Sequence, residues 1–300
     1  MGRENKMNGL DLSQASHRAI ADRLESARQS MKATGIDRPF LALMVGNPIA
    51  QVKAPAMLNP RFEDEGLPVR MVSVELPVED FGGVYGGLLT FPDVVATVIT
   101  VPFKVPVLKF CQSLDRSAEL AGAVNLMMRT KDGSWVGSMK DGDGFLTALK
   151  KAGFDPIGRR AYMAGAGGAG SGIAVALILA GLAGIDFHDP NQEKATRLAE
   201  ALGITRLAEP PSNLNGYDLL INATPLGLKE NDPLPFDPST ARQSAFLGDV
   251  IAEPERTRLR GAAVQRGLKN IGGMEMLKGQ IDALYRGVVK AVEDNMAGGR

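Results

Sequence analysis

Between Leu10 and Thr34 the apolar residues Leu10, Leu12, Ala19, Ile20, Leu24, Ala27 and Met31 recur near helical spacing, which predicts an amphipathic helix over 10–34. After Pro39 the pattern changes to short apolar runs separated by breakers. Phe40–Gly46, Val69–Val74 and Val94–Val101 read as buried strands with helical candidates between them, the alternation of a mainly parallel sheet. Trp135–Met139 predicts a short strand, and Asp143–Ala152 a helix stopped by Gly153. Further along, Leu219–Ala223 and Ala245–Val250 predict two more parallel strands, followed by helices over Thr257–Arg266 and Met274–Val292. The fold class expected is α/β with two domains. A helical extension (1–38) precedes a first α/β domain (39–135) and a second of Rossmann type (136–270). The C-terminal segment 271–300 is expected to pack back on the first domain.

The Rossmann assignment rests on one stretch. The apolar run at Ala161 enters Gly165-Ala-Gly167-Gly168-Ala169-Gly170-Ser-Gly172, and a helical segment expected over Ile173–Ala183 follows. A second apolar run ends at Asp189, 24 positions after Gly165. Strand, glycine turn, helix, strand and acid in that order form a dinucleotide-binding unit. The glycines admit a pyrophosphate against the backbone, the helix N-terminus offers unpaired N–H groups, and Asp189 faces the adenosine ribose. A glycine turn alone would be as well explained by a tight structural turn; the ordered set is not.

Composition narrows the partners. The 34 Lys+Arg residues balance 34 Asp+Glu, so nucleic acid and anionic membrane are not expected partners. The single Cys111 excludes an internal disulfide framework and a cysteine-based zinc site. With two histidines, His17 and His188, a multi-histidine metal site is not expected. No apolar run is long enough to span a bilayer and residues 1–9 are polar, so a cytoplasmic protein acting on a small molecule, as monomer or homodimer, is the expectation.

Two polar positions stand out as candidate chemistry. Lys104 closes Thr100-Val-Pro-Phe-Lys104 directly after an apolar strand, where a partly dry cleft would suit it to proton transfer. Asp141 lies at a strand-to-helix junction in Gly137-Ser-Met-Lys140-Asp141-Gly-Asp143-Gly-Phe145.

Across residues 40–290 the chain resembles the shikimate dehydrogenase family. The resemblance is carried by Gly46-Asn-Pro-Ile-Ala50, Ile99-Thr-Val-Pro-Phe-Lys104, Gly122-Ala-Val-Asn125, Gly142 with Gly144-Phe145, Ile221-Asn-Ala-Thr-Pro-Leu-Gly227, and Gly272-Gly-Met-Glu-Met-Leu277 with Gln280. It implies an NAD(P)-dependent oxidoreductase transferring hydride between nicotinamide and a secondary alcohol of shikimate or quinate type. Lys104 falls on the family's catalytic lysine and Asp141 on its partner aspartate. Thr100, Asn125 and Gln280 fall on substrate-binding positions. Gly165, Gly167, Gly168, Ala169, Gly170, Asp189, Lys194, Thr224, Pro225 and Gly273 are the cofactor positions.

The departures from the family pattern gather at one subsite. Two serines that hold the substrate carboxylate are Val52 and Ala54 here, and a tyrosine of the same subsite is Ala252. An asparagine before the lysine has become Val98, and Asn-Thr before the aspartate has become Met139-Lys140. Three lost hydroxyl donors would cost a bound carboxylate ~1–3 kcal/mol each, unless Lys53 or Lys140 turned inward to replace them. Where NADP-preferring members carry Asn-Arg-Ser/Thr, this chain has Asp189-Pro190-Asn191. That favours NAD, with NADP left open through Lys194. Besides a shikimate-type enzyme, the same chemistry on another substrate and a dinucleotide-binding sensor are the alternatives. Retention of Lys104, Asp141, Asn125 and Gln280 together argues against the sensor.

Overall fold

A computed structural model describes residues 6–7, 10–11, 14–50 and 52–297; Leu12, Gln51, the remainder of residues 1–9 and the end of segment 271–300 lie outside the described residues. The chain divides into two compact units: Met1–Asp115, Val124–Ser138 and Leu284–Arg300 form the first, Arg116–Ala123 and Met139–Ala283 the second.

In the first unit β1 (Lys6–Met7) and β2 (Leu10–Asp11) pair antiparallel, and α1 spans Ala15–Ala33. The helix expected from residue 10 therefore starts five positions later. The reason is local: Asp11 N–H donates to His17 Nδ1 at 3.0 Å, and Gln14 N–H closes a turn onto the Asp11 carbonyl at 2.9 Å. Leu10 is buried from the strand, while His17, Ile20, Leu24, Ala27 and Met31 form the buried helical stripe. Arg28 on the flank of α1 grips Asp93 through Nε and Nη2 at 2.6 and 3.0 Å.

The sheet of this unit is built from β3 (Phe40–Gly46), β4 (Val69–Glu75), β5 (Val94–Ile99), β6 (Ser113–Leu114), β7 (Leu126–Arg129) and β8 (Trp135–Ser138), in the order β4-β3-β5-β7-β8-β6. Helix α2 (Ala54–Asp64) links β3 to β4, and α3 (Phe81–Leu88) links β4 to β5. Strands β3, β4 and β5 run parallel, but β7 lies antiparallel to both β5 and β8. The five residues between β7 and β8 are closed by Thr130, Asp132 and Ser134, and so short a loop permits only an antiparallel hairpin. Strand β5 ends at Ile99, two residues short of the apolar run. Phe103 N–H closes a turn onto the Thr100 carbonyl at 3.0 Å and takes the chain out of the sheet.

In the second unit α4 (Arg116–Ala121) and α5 (Asp141–Lys151) precede an all-parallel sheet of β9 (Arg160–Ala164), β10 (Gly184–His188), β11 (Thr205–Arg206), β12 (Leu219–Asn222), β13 (Phe246–Asp249) and β14 (Lys269–Ile271). The order β11-β10-β9-β12-β13-β14 is that of a doubly wound sheet, whose crevice opens where the winding reverses, between β9 and β12. Helices α6 (Gly168–Leu179), α7 (Gln192–Leu202) and α8 (Arg258–Gln265) cover the sheet. Phe145, Ile173, Phe187 and Ile221 belong to one buried cluster, and Tyr162, Leu220, Phe236 and Leu247 to another. Helix α6 begins inside the glycine run, five residues before Ile173, because small residues there let it close on its neighbours: a Cβ on Gly172 would lie 2.8 Å from Met139 Cε. Helix α9 (Gly273–Ala297) is shared, and its residues from Leu284 belong to the first unit, where Tyr285 stacks on Phe62 with centroids 5.6 Å apart.

Candidate active site

In the first unit the ends of β3 and β5 gather the predicted polar residues. Thr100 N–H donates to the Val45 carbonyl at 2.8 Å, and Val124 N–H donates to the Lys104 carbonyl at 2.8 Å. Asn125, fully buried, is tied on both sides: its carbonyl accepts Ile99 N–H at 2.8 Å and its N–H donates to Ser138 at 3.0 Å. These bonds bring the backbones of Thr100, Lys104 and Asn125 to one end of the sheet, with Lys104 half-buried. The segment after β3 passes close by. A Cβ on Gly46 would lie 3.2 Å from Ile49 Cδ1 and 3.3 Å from the Val101 carbonyl, so glycine is required for that approach. Val52 is half-buried and Ala54, the first residue of α2, is buried; Val98 is buried within β5.

In the second unit Asp141 opens α5, is 4% exposed, and accepts a hydrogen bond at 2.6 Å from Gln280 Nε2 on α9. The pair meets because the helices cross on glycines. A Cβ on Gly144 would stand 2.6 Å from the Met276 carbonyl and 2.7 Å from Gln280 Cβ. Lys140 places its ammonium 3.6 Å from Asp143 Oδ2, and Met139 is buried against Gly172.

The dinucleotide end is a cleft of about 590 Å³ at the β9/β12 crevice, lined among others by Gly165, Gly167, Asp189, Lys194, Thr224 and Pro225. Gly165 has φ +98°, and a Cβ on it would come within 2.7 Å of the Ala223 carbonyl. Gly167 caps α6 with no side-chain hydrogen bond, and a Cβ added there meets no described atom within 4 Å. No side chain at Gly167 covers the first turn of α6, where Gly168 and Ala169 stand. Gly170 packs closely as well: a Cβ added there would lie 3.2 Å from Ala223 Cβ. Asp189 accepts Ala166 N–H at 2.7 Å through Oδ2 and Asn191 N–H at 2.8 Å through Oδ1, which fixes the acid at the lip of the turn. Gly273 begins α9 where a Cβ would strike the Ala252 amide at 2.5 Å, and Ala252 is half-buried beside it.

Sequence reasoning missed the support beneath Thr224. Asn222, fully buried, donates to Asp249 Oδ1 and to the Leu226 carbonyl, each at 3.0 Å. Its own Oδ1 accepts Thr224 N–H at 3.0 Å and the Thr224 hydroxyl at 2.7 Å. Thr257 donates to Asp249 Oδ2 at 2.6 Å. Burial pushes the Asp249 carboxyl above its ordinary range, against the pull of these donors. Farther out, Asp232 accepts Gly227 and Lys229 N–H, each at 3.0 Å, and those bonds hold its carboxyl below the usual range.

A doubly wound sheet with a glycine-turn cleft, joined in one chain to a second α/β unit that presents a lysine and a buried amide, defines a nicotinamide-dependent dehydrogenase. A family model described as the shikimate dehydrogenase substrate binding domain matches residues 44–127. The shikimate dehydrogenase (NADP(+)) of Rubrobacter xylanophilus is 36% identical over 256 residues, covering 82% of this chain and 87% of the relative. That of Methanopyrus kandleri is 33% identical over 247 residues, covering 78% and 84%. Among solved structures, the ligand-free 5-ketofructose reductase of Gluconobacter sp. strain CHM43 superposes with a TM-score of 0.74 at 28% identity, covering 87% of this chain and 99% of that one. Shikimate 5-dehydrogenase of Thermus thermophilus, in complex with NADP(H) and shikimate, gives 0.74 at 27%, covering 87% and 100%. The chain belongs to the shikimate dehydrogenase family. Among the described residues, no helix is long and apolar enough to cross a membrane.

Proposed function

We propose that the protein interconverts a secondary alcohol and its ketone on a polyhydroxylated substrate without a carboxylate, using NAD in preference to NADP. The observation that carries this reading is the apolar set Val52, Ala54 and Ala252 where family members place carboxylate-binding hydroxyls. A carboxylate at that end would forgo three donors at ~1–3 kcal/mol each. Lys140, one basic group suited to replacing them, has its ammonium beside Asp143. Resemblance to a reductase of 5-ketofructose, by its name a ketose, supports an uncharged substrate. The 36% and 33% identity to two shikimate dehydrogenases favours a second reading, shikimate itself, with Lys53 or water holding the carboxylate.

The cofactor, when bound, supplies the hydride acceptor or donor. Gly165, Gly167, Gly168 and Ala169 would receive its pyrophosphate, and Thr224 with Pro225 would border the nicotinamide. Lys104 takes the hydroxyl proton during oxidation and returns it during reduction, positioned transfer typically worth about 10²–10⁴ in rate. Asp141, held by Gln280, is the proposed partner of Lys104 in orienting the substrate, while Asn125 and Thr100 would hold neighbouring hydroxyls. Asp189 supports the NAD preference, since its carboxylate repels a 2′-phosphate and Pro190 offers no donor; Lys194 supplies whatever NADP affinity remains. The test is initial-rate kinetics with shikimate, quinate, neutral polyols and, with reduced cofactor, 5-ketofructose. Turnover of a neutral substrate, with kcat/KM at least about tenfold higher for NAD than NADP, is expected; repulsion of ~1.4 kcal/mol suffices for that ratio. Turnover confined to shikimate with NADP would refute both halves.

A further inference from the structure

Glu75, the last residue of β4, stands opposite Gly46 in the β3–β4 register. Its Oε2 accepts the Ile49 N–H at 2.9 Å. Ile49 in turn accepts Val52 N–H on its carbonyl at 3.1 Å, so the bond to Glu75 sits at the base of the turn that delivers Val52 to α2. A second tie, from Asn47 Nδ2 to the Leu76 carbonyl at 2.9 Å, anchors the start of the same segment. A hydrogen bond from an amide to a carboxylate is shorter and stronger than one between neutral groups. The rest of the Glu75 side chain borders a groove of about 360 Å³ shared with Ser16, Arg23, Asn47 and Glu79, on the side where α1 packs.

We infer that Glu75 is a positioning residue for substrate specificity: it sets where Asn47–Ala50 and Val52 stand, and so shapes the end of the pocket that lacks carboxylate donors. The inference rests on the proposed reading that Val52 borders the substrate. Glu75 acts through the Ile49 amide and need not touch the substrate.

The test compares Glu75→Ala, Glu75→Gln and Val52→Trp, by hydrogen exchange of the Ile49 amide and by kinetics with 5-ketofructose and NADH. Glu75→Ala should speed exchange at Ile49 at least about tenfold, as expected when a net ~1.4 kcal/mol bond is lost. It should raise KM about 3- to 10-fold, with kcat and NADH affinity within about twofold. Glu75→Gln retains an oxygen acceptor and should restore both readouts to within about threefold. Unchanged Ile49 exchange in Glu75→Ala, or a glutamine variant as impaired as the alanine one, would overturn the assignment. If Glu75→Ala speeds exchange and neither it nor Val52→Trp alters KM, the inference is overturned because the segment does not border the substrate. If Val52→Trp alone alters KM, the segment reading stands and Glu75 is not its positioning residue.

Discussion

Replacing Gly144 by alanine perturbs the crossing of α5 and α9 without touching a polar group. The added methyl would lie 2.6 Å from the Met276 carbonyl, 2.7 Å from Gln280 Cβ and 3.0 Å from Gln280 N. Two of those atoms belong to helix backbone and cannot rotate away, so the helices must separate by several tenths of an ångström. Overpacking of this kind costs ~1–3 kcal/mol, or about 2–4 °C in Tm for each kcal/mol in a protein of this size class. The separation also stretches the 2.6 Å bond between Gln280 and Asp141. A hydrogen bond to a charged group contributes ~1.5–3 kcal/mol, so kcat/KM should fall about 10- to 100-fold. NADH affinity should change less than about threefold, because Gly165 and Ala166 hydrogen-bond to His188 and Asp189 rather than to α9. Thermal unfolding, NADH fluorescence titration and steady-state rates read the three effects separately. Gly83→Ala, in α3, is the control: its methyl meets no described atom within 4 Å and should leave stability equal or up to ~1 kcal/mol higher. Wild-type Tm and turnover in Gly144→Ala would refute the clash argument.

Lys104→Ala should keep NADH affinity and lose about 10²–10⁴ in turnover; normal turnover would remove Lys104 from the acid/base role. Asp93→Ala breaks the bidentate grip of Arg28, whose two side chains are 15% and 22% exposed, and should cost ~1–3 kcal/mol by urea unfolding. Burial pushes the Cys111 thiol up to about 11, so at pH 8 it should react with a disulfide reagent about 100-fold more slowly than a free thiol. The Asp249 carboxyl is raised above its ordinary value of 3.8, so the folded state binds its proton more readily than the unfolded chain. The contribution of that proton is complete below 3.8 and is lost as pH rises through the raised value. Relative to Asp249→Asn, the wild type should therefore gain stability as pH is lowered into that window, and a pH-independent difference between them would contradict this.

What could be read along the chain depended on how local its cause was. Phe40–Gly46 is bounded by Pro39 and Asn47-Pro48, and its seven apolar residues form the expected strand. The glycine turn before α6 and the acid after β10 are legible because each lies at a junction of locally encoded elements. Strand β7 is not: Leu126-Met-Met-Arg129 is short, lacks β-branched residues, and becomes a strand through its hairpin to β8. Helix α6 starts before the expected Ile173 because packing of Gly170 and Gly172 against neighbouring elements overrides the low helix propensity of glycine. Leu10 fits the helical period of α1, yet the turn at Asp11 makes it part of a strand. Asn222, Asp249 and Thr257 join one buried network from three segments, and Glu75 reaches Ile49 across β3 and β4, so no sequence period announces either.

In the proposed reading the dehydrogenase machinery is kept in a pocket that has lost its affinity for a carboxylate. The most direct test of that claim is kcat/KM, with NAD, for shikimate against the otherwise identical cyclohexene triol lacking the carboxyl group. The triol is expected to be the better substrate, by about tenfold or more. A preference for shikimate of similar size would show that the carboxylate is still bound and would contradict the claim.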